Sequence, residues 1–271
     1  MPNYICVTCG NQYAATEVPP VHCPICEDER QYVNPQGQTW TTLEKMEQDY
    51  HNVMNSLEPG LTEIGTAPKF AIGQRALLVQ APAGNVLWDC VSLIDAATID
   101  AIDAVGGISA LAMSHPHMFG SMVAWSHAFG KAPIYVHRDL RPWVQLPDPV
   151  IEFWEGDRHE LDEGITLYRC GGHFTGSTVL LWPDGAEGRG VLLSSDTLHV
   201  TPDRHHVSFM YSYPNYIQLA PTTVDRIVDT VLPLRFDRIY SHFYHLGIAA
   251  DAKAAVQRSA ERYKQAIGVR S

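Results

Sequence analysis

The chain has 271 residues, a formal net charge of −11, a hydrophobic fraction of 45% and a charged fraction of 18%. These are the proportions of a soluble globular protein, with room for one large domain or for one domain and a small module. The negative charge argues against nucleic acid as a partner, because affinity for the phosphate backbone comes from Lys and Arg. No apolar run approaches membrane-spanning length, and the N-terminus lacks the basic-then-apolar pattern of a secretory signal. The expectation is a cytoplasmic protein with reduced thiols, no membrane partner and a small-molecule substrate. The oligomeric state is left open, a homodimer included.

Cys6 and Cys9 form one C-x2-C pair and Cys23 and Cys26 a second, with 13 residues between the pairs. Four thiolates in two such knuckles make a tetrahedral sulfur site for zinc, or for a single iron. Gly10 and Pro24 suit the tight turns that the knuckles need. Residues 1–36 are too few to hold a core of their own, so a metal staple is expected there. With no secretory signal, paired disulfides are the weaker reading. Cys90 and Cys170 read as buried core thiols.

Asn34-Pro35-Gln36-Gly37 marks a linker, and residues 37–271 form the main domain. Thr41 with Glu44 fits a capping box for a helix carrying Leu43, Met46, Tyr50, Val53 and Leu57, ended by Pro59-Gly60. Strands are predicted at 75–79 and 86–90 with a hairpin turn between them, then a short helix capped by Thr98 and ended by Gly106-Gly107. A small apolar strand, 108–113, leads into Ser114-His115-Pro116-His117-Met118-Phe119-Gly120. A helix from Met122 to Gly130 and strands at 133–137, 151–154 and 165–170 follow. Gly171-Gly172-His173-Phe174-Thr175-Gly176-Ser177 is a glycine-rich loop. Strands at 178–182 and 191–193 lead into Ser194-Ser195-Asp196-Thr197. A helix with Thr222 and Asp225 in capping-box register, a strand at 238–242 and a terminal helix complete the chain. This order fits two packed sheets flanked by helices.

His115 and His117, at i and i+2, share a side if their segment is extended, and two imidazoles facing one point are half of a metal site. His173, Asp196 and His242 also follow predicted strands or sit on a tight glycine-rich loop. That shared position at strand ends, where sites collect in α/β folds, separates these five from the other histidines and carboxylates. Tyr211, Tyr213 and Tyr216 cluster shortly after Asp196. Tyr211 and Tyr213 are candidates to line a substrate pocket and donate to an oxyanion, although core or rim packing is the better account of them.

The order and context of His115, His117, His173, Asp196 and His242 resemble the metallo-β-lactamase fold superfamily, over roughly Trp40 to Ile267. The two knuckles resemble the rubredoxin-like or zinc-ribbon modules that accompany some metalloenzymes. The resemblance implies an α/β fold, a four-layer αββα sandwich, with a small N-terminal four-cysteine metal module. It also implies a metal-dependent hydrolase of a small ester, thioester, amide or phosphoester. The first motif departs from the family: His-Pro-His-Met-Phe-Gly stands where His-x-His-x-Asp-His is usual, so Phe119 and Gly120 replace two ligands of a second metal. The expectation is therefore one zinc or iron held by His115, His117, His173 and Asp196, with Asp196 as ligand or water-positioning group and His242 as the family's last ligand. Zinc, with iron as the alternative, is expected on Cys6, Cys9, Cys23 and Cys26. Two other readings stand beside the hydrolase: a mononuclear-iron, oxygenase-like redox enzyme fed by an N-terminal iron centre, and a catalytically inactive binding or regulatory member of the fold.

Overall fold

Seven strands pair in chain order into the first sheet: His51–Glu58, Leu61–Ala67, Arg75–Val79, Val86–Trp88, Ala110–Ala112, Ile134–His137 and Ile151–Trp154. The first four pair antiparallel and the last four parallel. The strands Arg75–Val79, Val86–Trp88 and Ala110–Ala112 are buried at every residue, which is why they read as unbroken apolar runs and not as alternating ones. A six-stranded sheet, also in chain order, joins Arg158–Asp162, Ile165–Arg169, Thr178–Trp182, Val191–Leu193, Arg238–Tyr240 and Gly247–Ile248. Its one parallel pair is Val191–Leu193 with Arg238–Tyr240. The computed structural model describes residues 1–162 and 164–268. The chain packs as two compact units, Met1–Trp154 and Glu155–Ser271, each built on one of these sheets.

In the second unit, Val179, Leu192 and Ile239 of the sheet pack with Val224, Ile227 and Val231 of the helix Pro221–Val231. Val256 and Ala260 of the terminal helix Ala252–Ala266 join the same cluster. In the first unit the cysteine segment is tied into the fold. Ile5–Cys6 pairs antiparallel with Trp40–Thr41, and Ile5 is buried with Met46, Phe70 and Leu93.

The structure corrects several local expectations. The helix expected through Leu57 stops early, at Leu43–Asp49, and Val53 and Leu57 lie on the strand His51–Glu58. Pairing with Leu61–Ala67 across the Pro59-Gly60 turn outweighs a weak helical periodicity. The cap is Thr42, whose hydroxyl accepts from the Lys45 amide, and not Thr41. Asp95, not Thr98, caps the helix Ala96–Asp103. The helix Pro221–Val231 starts on Pro221 with no side-chain cap, so the capping box read at Thr222 and Asp225 does not form. No helix among the described residues is long and apolar enough to cross a membrane.

Candidate metal centres

The knuckles bring Cys6, Cys9, Cys23 and Cys26 together as buried free thiols. Cys6 Sγ lies 3.5 Å from Cys26 Sγ, and Cys9 Sγ lies 3.7 Å from Cys23 Sγ. Three sulfurs accept bonds from side chains: Cys23 from the Tyr13 hydroxyl at 3.0 Å, Cys6 from Gln38 Nε2 at 3.0 Å and Cys9 from Asn11 Nδ2 at 3.5 Å. Hydrogen bonds from Cys23, Cys26 and Cys9 lower the Cys6 thiol, while burial raises Cys9. Burial, reinforced by the charge of Cys23, holds the Tyr13 phenol protonated, which keeps it a donor. The Tyr13, Gln38 and Asn11 donors give three of the sulfurs the hydrogen bonds that a thiolate accepts.

The histidine loop begins where the strand Ala110–Ala112 ends. Asp89 is fully buried, and its Oδ1 accepts from the Ser114 amide at 2.7 Å. The amide of Cys90 donates to Met118 O at 3.0 Å. His115 is extended, but Pro116 starts a single 3-10 turn over Pro116–Met118, closed by the Met118 amide on His115 O. The segment is therefore not extended through His117, as the i, i+2 argument assumed. The turn brings the rings together by another route, with centroids 5.2 Å apart. Ser114 Oγ shares a hydrogen bond with His115 Nδ1 at 2.9 Å. Phe119 is buried and, with Gly120, lines a small cavity beside Asn11, Gln12, Met122 and Val123.

In the second unit, His173 sits in the loop between Ile165–Arg169 and Thr178–Trp182. Its Nδ1 donates to Met210 O at 3.3 Å, which fixes the tautomer that carries the proton on Nδ1. Gly172 gives this loop its path. Its φ is +90°, and a Cβ there would lie 2.9 Å from the Ile227 side chain. Asp196 follows Val191–Leu193, the strand that runs parallel to Arg238–Tyr240, after which His242 comes. The Asp196 Oδ1 accepts from His199 Nδ1 at 3.2 Å. His242 Nε2 shares a 3.3 Å hydrogen bond with Ser195 Oγ. Tyr213 is half-buried, and its hydroxyl donates to Asp196 O at 3.0 Å and lies 3.3 Å from Ser208 O. Burial, with the Asp196 charge beside it, pushes this phenol well above its ordinary value. Tyr211 packs half-buried against the core of the second unit.

In the first unit the four buried cysteines are arranged to hold a metal ion, their sulfurs within 4.8 Å of one another. The first unit also carries the buried pair His115 and His117, and the second unit carries His173 and Asp196, each buried. Imidazoles with a carboxylate, and four thiolates, are both donor sets that zinc and iron accept. His242 lies on Ser195. His199 was not singled out in the sequence. Its position three residues after Asp196 was the available signal, since a side chain at that spacing folds back onto a residue that ends a strand.

No family model matches the chain. It is 50% identical to the uncharacterized protein YmaE of Bacillus subtilis (strain 168) over 269 residues, 98% of this chain and 97% of that one. Among solved structures it is similar to the metallo-β-lactamase FIM-1 from Pseudomonas aeruginosa in the mono-zinc form. The TM-score is 0.58 and the identity 12%, covering 78% of this chain and 95% of that one. It is also similar to rubredoxin oxygen:oxidoreductase from the anaerobe Desulfovibrio gigas, with a TM-score of 0.57 and 15% identity over 79% of this chain and 62% of that one. The fold is thus the metallo-β-lactamase-like α/β fold with two mixed sheets that the motifs implied, carrying a four-cysteine cluster near its N-terminus.

Proposed function

We propose, on the premise that this chain belongs to the same family as YmaE and carries the metallo-β-lactamase fold, that it is a metal-dependent hydrolase of a small ester, thioester, amide or phosphoester. What carries this reading is the set of buried metal-ligating side chains in loops that follow strands, His115 and His117 in the first unit and His173 and Asp196 in the second. A zinc held by that group would supply Lewis acidity and a water that ionises near neutral pH. The protein's own part is orientation. The Met210 carbonyl fixes the His173 tautomer, and Ser114 holds the His115 ring. His199 holds Oδ1 of Asp196, which orients the carboxylate to ligate the metal or to align the attacking water. Tyr213 serves the site by holding the Asp196 backbone, and Tyr211 is the remaining aromatic candidate for substrate contact.

We read the site as mononuclear. Phe119 and Gly120 offer no ligand atom, and His242 is engaged by Ser195. That FIM-1 is described in a mono-zinc form supports a single ion in this fold. A second reading, an iron redox enzyme, draws support from the hydrogen bonds to three of the cysteine sulfurs, which tune the potential of an iron centre. Metal identification on purified protein, with a panel of ester, thioester, amide and phosphoester substrates, tests both. Zinc at the histidines and turnover abolished by His117→Ala is the expected result. Iron at both centres favours the redox reading. Bound metal without turnover across the panel rejects the hydrolase and favours a binding or regulatory protein.

A further inference from the structure

The peptide that follows the first knuckle, Cys9-Gly10-Asn11-Gln12, runs inward and grips the histidine loop. Gly10 O accepts from the buried Ser92 hydroxyl at 2.7 Å. Asn11 is 2% exposed, and its carbonyl accepts from the Cys6 amide at 3.0 Å. Its single side-chain amide nitrogen reaches two acceptors. It lies 3.5 Å from Cys9 Sγ and 3.1 Å from Pro116 O, the carbonyl of the peptide that joins Pro116 to His117. One residue on, the Gln12 amide donates to Gly120 O at 3.0 Å, closing the far end of the same loop. The loop is thus pinned at its middle and at its end by two residues that follow Cys9 by two and three positions.

We propose that Asn11 is a positioning residue for the His115–His117 pair, through which loading of the four-cysteine centre raises the metal affinity of the histidine site. The inference rests on the reading of His115 and His117 as metal ligands. An –NH2 group has two hydrogens, one for the sulfur and one for the carbonyl. A metal-bound thiolate is a charged acceptor, and hydrogen bonds to charged groups are the stronger ones. With metal on the cysteines, Cys9 holds Asn11 and Asn11 holds Pro116. Without it, the knuckle loses its tetrahedral constraint, and the hold of Cys9 on Asn11 loosens. The histidine pair then loses the support that reaches it through Asn11, while Asp89 and Cys90 still hold the loop.

The test is titration of the metal-free full chain with Co2+. The sulfur site is read by its thiolate-to-cobalt charge-transfer band, and the histidine site by ligand-field bands that lack it. Asn11→Asp keeps the shape but removes both donors. It is expected to fill the cysteine site with a shifted charge-transfer band and to bind cobalt at the histidines about tenfold more weakly, the usual cost of losing a group that orients a ligand. Cys23→Ser leaves Asn11 in place but removes its anchor. It should weaken the histidine site by a similar factor, and adding Asn11→Asp to it should cost little more. Unchanged band position and unchanged histidine-site affinity in Asn11→Asp overturn the proposal, as do fully additive losses in the double variant. Failure of the unsubstituted chain to take up cobalt at the histidines overturns the metal-site reading itself, and this proposal with it.

Discussion

Gly120 ends the motif His115-Pro116-His117-Met118-Phe119-Gly120, at the position where the resemblance implies a histidine, and it is held there by geometry. Its φ is +50°, and a Cβ would lie 2.8 Å from Val91 O and 2.9 Å from Cys90 O. Gly120→Ala is expected to lower stability by about 1–3 kcal/mol, read as a fall in thermal midpoint, because the residue can neither keep that φ cheaply nor find space. Restoring the family's ligand with Gly120→His therefore costs stability before it adds a donor. The buried pair Glu63 and Arg75 is a second sensitive point, with Asn55 also donating to Glu63. Glu63→Ala leaves a buried guanidinium charge without that carboxylate, and the expected loss is about 3–5 kcal/mol by denaturant unfolding. Cys170 is a third. Burial pushes its thiol up to about 12 from an ordinary 9.0, with Arg226 and Arg169 offsetting only part of that. The fold thus binds this proton more tightly than the unfolded chain does. Its contribution to stability is complete below pH 9.0 and is lost as pH rises toward about 12. Alkylation of the native protein at pH 8 should spare Cys170, and rapid native-state labelling there would contradict the burial argument.

At the scale of elements, the strands that carry site residues were legible and the helix boundaries were not. Ala110–Ala112 and Val191–Leu193 are short apolar runs, each followed three residues later by a site residue, His115 and Asp196, and that contrast marks a strand end beneath a site. The segment 50–58 misled because Val53 and Leu57, which continue the helical spacing of Met46 and Tyr50, also share one face of a strand. Only the partner Leu61–Ala67, whose pairing is long-range information for a local reading, decides between them. The 3-10 turn at Pro116–Met118 was hidden for a different reason. Pro116 signals a turn, but the Asp89 and Asn11 bonds that hold it come from segments 25 and 105 residues away in sequence. Capping shows the same limit. Asp95 caps its helix through the Thr98 amide at 2.7 Å and also accepts from the Asn52 amide at 3.2 Å. Asp95→Ala should cost about 1–2 kcal/mol, toward the upper end for a cap, and chemical denaturation of the variant measures it.

Over the whole molecule, the family resemblance and the metal-ligand chemistry were readable because they depend on residue types at fixed spacings. What those ligands do could not be read, since it depends on bonds such as Ser195 to His242 and Asn11 to Pro116 that join distant segments. We propose that residues 1–36 are a metal-stapled module, even though Ile5 shares a core with Met46 and Leu93. Cys23→Ser should then loosen the segment around Tyr13, read by limited proteolysis, while the strands of both sheets stay protected against hydrogen exchange. The central claim is a single metal on three histidines and one aspartate, and the most direct measurement is anomalous diffraction from crystals of the full chain, tuned to the absorption edges of zinc and iron. The account predicts one anomalous peak among the four cysteine sulfurs and one among His115, His117, His173 and Asp196. A pair of fully occupied peaks at the histidine site, or none there in protein that carries metal on its cysteines, would contradict it.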